Sequence, residues 1–239
     1  MPREQILQAI IIKKQPFNEA DEIITLLTLE AGKVRALAKS VKLGTSKLQQ
    51  SLQPIFLNNV TVTASDKLPK IISVQTVNPF SVLQASGDRV KVWFVIAELL
   101  NKALADEQPN QPLFALVVDY LQFLNTPNID EYVLTASLVK FKIQFMELIG
   151  LQLHAPSTDA SETSLQFSAN RGGFYSGQPA SDSRSVNPTT WQAFNTLKSI
   201  SFAAIRNQTL ETTQLQDLVN SFISYQLERE IKSERFLDQ

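Results

Sequence analysis

Cysteine is absent from this 239-residue sequence, and histidine occurs once, as His154. The first absence excludes disulfides, thiolate nucleophiles, zinc knuckles and iron–sulfur clusters, and one imidazole cannot build a histidine-based metal site alone. Glycine is scarce: seven residues, at 32, 44, 87, 150, 172, 173 and 177, or about 3% against a usual ~7%. Neither GxGxxG nor GxxxxGK[ST] can be written with that set, so no glycine-rich loop for nucleotide phosphates is encoded. Long apolar runs are missing too. The longest, Val92 to Leu100, contains Glu98 and falls well short of the ~18 residues that span a bilayer. At the N-terminus, Ile6 to Ile12 is interrupted by Gln8 and runs into Lys13 and Lys14, without the small-residue cleavage site of a signal peptide. What remains is 44% apolar and 19% charged, the composition of a globular chain large enough for one big or two small cores. The expectation is a cytoplasmic protein with no cofactor, no metal and no membrane partner.

The net charge of −1 conceals a division. Residues 1–80 carry ten Lys/Arg against six Asp/Glu, whereas 81–239 carry twelve against seventeen. Between Glu30 and Asp66 there is no acid, yet Lys33, Arg35, Lys39, Lys42 and Lys47 all lie there. On an extended strand Lys33, Arg35 and Lys39 share one face, with Val34 and Ala36 on the other. Lys42, Gly44, Thr45, Ser46 and Lys47 read as a polar loop continuing from it. Cations, hydroxyls and a glycine are the donors a phosphate backbone uses; the plain alternative is a solvated charged face.

Residues 1–80 read as strands and turns. Strands are expected over Leu7 to Lys13, Ile23 to Leu29, Lys33 to Lys39, Ile55 to Thr63 and Lys70 to Val77, with turns at Gln15–Asn18, Glu30–Lys33 and Asp66–Pro69. Five short strands in that length predict a small barrel, for which the OB-fold is the usual five-stranded solution. After Pro79 the apolar period changes from two to about 3.6. Val90, Trp93, Ala97 and Leu100 mark one helix, Leu113, Val117, Tyr120 and Leu124 a second, and Leu134, Leu138, Phe141 and Phe145 a third that starts at Asp130 and stops near Gly150. Residues 154–187 lose periodicity, with room for one hairpin around Leu165 to Tyr175. Helices return over Pro188 to Ile200 and Leu210 to Leu227, before a charged tail from Arg229. The fold class is therefore α+β: an N-terminal five-stranded OB-fold β-barrel over 1–79, followed by an α-helical domain over 80–239 with an irregular region at about 154–187.

Taken in order, Glu19-Ala20-Asp21, Thr28, Gly32-Lys33-Val34-Arg35, Ala38-Lys39, Ser46 and Leu52-Gln53-Pro54 resemble the N-terminal pattern of the RecO family of bacterial recombination mediators. Ala97-Glu98-Leu99-Leu100, Lys140-Phe141, Leu148-Ile149-Gly150-Leu151, Gly172-Gly173 and Lys232-Ser233-Glu234-Arg235-Phe236-Leu237 extend the resemblance through the helical part. It implies a non-enzymatic protein of recombinational DNA repair that binds single- and double-stranded DNA. Such a protein anneals complementary strands, including strands coated by single-strand binding protein (SSB), and acts with RecR to load RecA. DNA contacts fall to Lys33, Arg35, Lys39, Lys42, Ser46 and Lys47. In the family the acidic C-terminal tail of SSB docks on the helical domain, and the matching basic-Phe position here is Lys140-Phe141, with Lys142 beside it. Many members carry two CxxC pairs around the central loop; here Ser176-Gly177-Gln178-Pro179 stands in the second position. The loop is then held without zinc, and Phe167, Phe174 and Tyr175 packing on the helices is the expected substitute.

Five phosphate contacts would give a slope of roughly −3.5 in log affinity against log salt on single strands. Stacking platforms are few: residues 1–80 hold Phe17, Phe56 and Phe80 and no Trp or Tyr. Phe56 is expected inside the barrel and Phe80 at the domain junction, so phosphate contacts should dominate over base stacking. Two other functions compete. In one, the basic barrel face meets an acidic protein partner and never DNA. In the other, His154 serves a hydrolase, for which no GxSxG nucleophile elbow exists. The adjacent acids Asp21-Glu22, Asp106-Glu107 and Asp130-Glu131 point to different faces and make poor metal clamps. Trp93-Phe94 and Trp191 with Phe194 sit at core spacings.

Overall fold

The computed structural model describes residues 4–42, 47–63, 68–156 and 165–237. Strands β1 (Glu4–Pro16), β2 (Glu22–Thr28) and β3 (Gly32–Ala38) are followed by a short helix α1 (Lys47–Ser51), then β4 (Leu57–Thr63) and β5 (Ile71–Asn78). Their order in one antiparallel sheet is β3-β2-β1-β4-β5. The sheet curls until its edges meet, Leu37 N–H donating to the Pro69 carbonyl at 2.8 Å, but no continuous ladder closes it. Inside lie Leu7, Ala9, Ile11, Ile24, Leu26, Ala36 and Val60, all essentially without solvent exposure. The expected OB-type sheet followed by helices is what the chain forms, each strand lying within two residues of its expected bounds, except β1, which runs three residues further at either end.

The β2–β3 turn shows why this sequence bends there. Thr28 Oγ1 accepts from Ala31 N–H at 3.0 Å and donates to the Gly32 carbonyl at 2.8 Å. Gly32 has φ +70°, and a Cβ there would sit 2.2 Å from the Gln108 carbonyl oxygen. Only glycine meets both demands.

The helices follow as α2 (Ser81–Gln84), α3 (Gly87–Ala103), α4 (Gln111–Leu124) and α5 (Glu131–Leu148). Asn110 caps α4 by accepting from Leu113 N–H at 3.0 Å, and Asp130 caps α5 through Val133 N–H at 2.8 Å, the role that Ser/Thr/Asp/Asn play at helix starts. A small sheet, β6 (Leu165–Ser168), β7 (Gly173–Ser176) and β8 (Arg184–Ser185), precedes α6 (Pro188–Ser199), a 3₁₀ turn (Ala203–Asn207), α7 (Thr213–Leu227) and a second 3₁₀ turn (Lys232–Phe236). By packing, residues 1–125 and 232–239 form one compact unit and 126–231 another. No helix among the described residues is long and apolar enough to cross a membrane.

The charged tail is folded rather than trailing. Glu98 on α3 accepts from Lys232 N–H at 3.1 Å, Ser233 N–H at 2.7 Å and Ser233 Oγ at 2.6 Å, and pairs with Lys102. Burial pushes the Glu98 carboxyl up, but Lys102 and the Ser233 and Lys232 donors outweigh it and hold its pKa at about 2. A depressed carboxylate pKa contributes stability above the unfolded value of 4.5 and loses it as pH falls toward 2. Glu98→Gln should therefore cost about 1–2 kcal/mol at pH 7, the usual scale for charge-assisted bonds near a surface. The cost should vanish near pH 2, as read by denaturant unfolding of both proteins across that range.

Candidate nucleic-acid interface

The basic residues of the first strands divide into committed and uncommitted groups. Lys33, on the outer face of β3, is 11% exposed at its side chain. Its Nζ donates to the Asn101 carbonyl at 3.1 Å and the Leu104 carbonyl at 2.6 Å and pairs with Asp106 at 3.1 Å. A cation on the last carbonyls of a helix offsets the negative end of its dipole, so Lys33 clamps α3 to β3. Lys42 is likewise engaged: its Nζ donates to the Asn18 carbonyl at 2.7 Å. Arg35 and Lys39, by contrast, are exposed and make no ion pair or side-chain hydrogen bond with a described residue. Ser46 lies outside the described residues, as does the side chain of Lys47, which opens α1.

Lys39 does not continue the strand face, because β3 ends at Ala38. It sits in a turn held against the β1–β2 connection. Asp21 Oδ1 accepts from Ser40 N–H at 2.7 Å, and Lys42 N–H donates to the Ala20 carbonyl at 3.0 Å. The Ser40 amide, then Asn18 and, more weakly, Lys39 and Lys42 hold the Asp21 carboxyl below its usual pKa. Phe17, in the same connection, is 56% exposed. Phe56 is half-buried outside the barrel core, and Phe80 is fully buried.

Lys13 was not among the expected site residues, and a bulge explains why. Ile11 pairs with Leu26 on the inner face; the register slips at Ile12, and Lys13 pairs with Thr25 on the outer face. Strict alternation from Ile11 would send Lys13 inside. Thr25 in turn pairs with Arg35, so Lys13, Thr25 and Arg35 form one row across three strands. They line a recess of about 250 Å³ with Gln15, Lys33, Asn101 and Asp106.

The helical candidates are placed differently from expectation. Lys140, Phe141 and Lys142 are 2%, 0% and 1% exposed, so they present no surface to a docking peptide. Lys140 Nζ donates to the Leu197 carbonyl at 2.7 Å and lies 5.4 Å from the Phe202 ring centre; burial pushes its pKa below the usual lysine value. Lys142 Nζ donates to Asn220 Oδ1 at 2.8 Å. Helix α5 is enclosed by α6, α7 and the first 3₁₀ turn, and the unbroken buried run Ala136 to Ile143 marks a helix covered all round. Phe94 corrects another expectation, being 48% exposed beside buried Trp93. The His154 side chain is exposed, while its backbone joins the small sheet, donating to the Gly172 carbonyl at 2.8 Å and accepting from Phe174 N–H at 3.0 Å.

The central loop holds no donor set for zinc: cysteine is absent throughout, and the described residues contain no cluster of metal-ligating side chains. Phe174 instead packs 5.2 Å from Phe167, 5.3 Å from Trp191 and 4.7 Å from Phe194, centre to centre. The Tyr175 ring carries the Arg171 guanidinium 4.6 Å from its centre.

Comparison with known proteins agrees with this architecture. Residues 1–80 match the family model for the recombination protein O N-terminal region and residues 85–235 that for its C-terminal region. Among curated relatives, the DNA repair protein RecO of Desulforamulus reducens is 25% identical over 98% of this chain and 93% of its own. That of Pelotomaculum thermopropionicum is 26% identical over 97% and 92%, and that of Anaeromyxobacter dehalogenans 27% identical over 98% and 95%. With both family models matched in order across nearly its whole length, the chain belongs to the RecO family of DNA repair proteins.

Proposed function

We propose that this protein binds DNA through the outer face of β1–β3 and the adjoining turn. In this role it anneals complementary strands and acts with RecR to load RecA onto SSB-coated DNA, as a cytoplasmic mediator rather than an enzyme. The supporting observation is that Lys13, Arg35 and Lys39 are exposed and make no ion pair or side-chain hydrogen bond with a described residue, while Asp106, the acid bordering the recess, is paired with Lys33. Cations that neutralise two strands and leave base edges free lower inter-strand repulsion without blocking pairing. SSB enters this reading as a partner.

Fluorescence anisotropy of a labelled single-stranded oligonucleotide at several salt concentrations tests the reading. Because Lys33 and Lys42 are engaged within the protein, the three free cations of this face among the described residues, Lys13, Arg35 and Lys39, contribute a slope of about −2 where five contacts would give about −3.5. Absence of binding at low salt would sink it and favour an acidic protein partner. Phe17 offers the one strongly exposed ring among the described residues of the sheet. Phe17→Ala should cost about 1–2 kcal/mol on single strands, within the range of base–aromatic stacking, and little on duplex, measured by the same titrations.

A further inference from the structure

The recess bordered by Lys13, Thr25 and Arg35 has a feature that a general phosphate track does not require: it is walled at one end. Neighbouring strands lie about 4.8 Å apart, so Lys13 and Arg35, two strands apart, stand about 10 Å from each other with short Thr25 between them. Long cationic walls over a hydroxyl floor leave a gap the width of a phosphate group with a hydrogen bond on either side. The α3 terminus, seated on Lys33 of β3 through the Asn101 and Leu104 carbonyls, closes one end together with Asp106 just beyond the helix. Side chains of Lys13, Gln15, Thr25 and Arg35 have no hydrogen-bond partner among the described residues, so the donors are available. The Asp106 carboxylate is already held by Lys33. Three cations against one acid leave a net charge of +2. A phosphodiester brings −1, whereas a phosphomonoester brings −1.5 to −2 at neutral pH.

We infer that this recess is a binding site for a phosphomonoester, either the terminal phosphate of a nucleic-acid strand or free phosphate. The strand-end form rests on the DNA-binding reading above. A strand end enters a pocket closed on one side, whereas a continuous backbone must leave by a second exit.

The experiment compares one 3′-labelled single-stranded oligonucleotide bearing a 5′-phosphate, a 5′-hydroxyl or a 5′-methyl phosphate, titrated with the full chain at low salt. The 5′-phosphate form should bind about tenfold more tightly than the other two, or about 1.4 kcal/mol. Lys13→Met and Arg35→Gln, at exposed positions, should erase that preference, while Lys39→Gln weakens all three forms alike. Equal affinity for the three ends overturns the strand-end form and leaves the DNA reading standing. If none binds, the DNA reading fails, and calorimetry with inorganic phosphate then decides the site. Heat that Lys13→Met removes identifies free phosphate as the ligand, and no heat overturns the inference. Equal ends together with no phosphate heat overturn it as well.

Discussion

Reversing Lys13, Arg35 and Lys39 together to glutamate is expected to weaken single-stranded DNA binding at least ~100-fold at 0.1 M salt, with little change in melting temperature. Each neutralised phosphate contributes a slope of about 0.7 in log affinity against log salt on single strands, so three contacts supply about two decades at that salt concentration. Three new carboxylates add repulsion to the loss. The fold should survive because all three side chains are exposed and make no internal bond with a described residue. Lys33→Glu separates this from general damage. It places a carboxylate against the Asn101 and Leu104 carbonyls and beside Asp106, and should cost about 3 kcal/mol, on the scale of breaking a buried pair. Anisotropy and thermal melting on both proteins distinguish the roles. A triple variant that binds normally would move the DNA interface off this face.

Lys33 and Arg35 are indistinguishable by spacing, two residues apart on one strand face, and sequence reasoning assigns both to DNA. What separates them is 68 to 73 residues away, in the end of α3 and Asp106, and no local pattern reports it. Lys13 was hidden by the opposite kind of event, one extra residue at Ile12 that inverts the phase of β1. The strands themselves were legible because alternation survives along most of their length. Helix α5 was legible as a helix, with its Asp130 cap and its stop at Gly150, where φ is +82°. Its lysines were misplaced because cationic side chains are seldom buried, and the carbonyl and amide that receive them come from α6 and α7. The tail after Arg229 reads only as charged, because its partner Glu98 lies more than 130 residues earlier.

Phe174→Ala should be among the most destabilising single changes in the unit spanning residues 126–231, costing about 3–5 kcal/mol, as truncation of a fully buried aromatic does. Its ring is 0% exposed and meets Phe167, Trp191 and Phe194, so the loss combines transferred area, aromatic edge contacts and a cavity between the small sheet and α6. The neighbouring backbone leaves little room to collapse. Gly173 has φ +137°, and its Cβ position lies 2.8 Å from the His154 backbone, fixing the hairpin against residue 154 on its other side. Phe174→Leu, which keeps much of the volume, should cost about 1–2 kcal/mol. Urea unfolding followed by the fluorescence of Trp191 would measure both. A chelator should leave the wild-type transition unmoved, since the chain has no cysteine and the described residues contain no cluster of metal-ligating side chains. A cost below ~1 kcal/mol for the alanine variant would mean that the hairpin contributes little to holding this unit together, and that the loop needs no substitute for zinc.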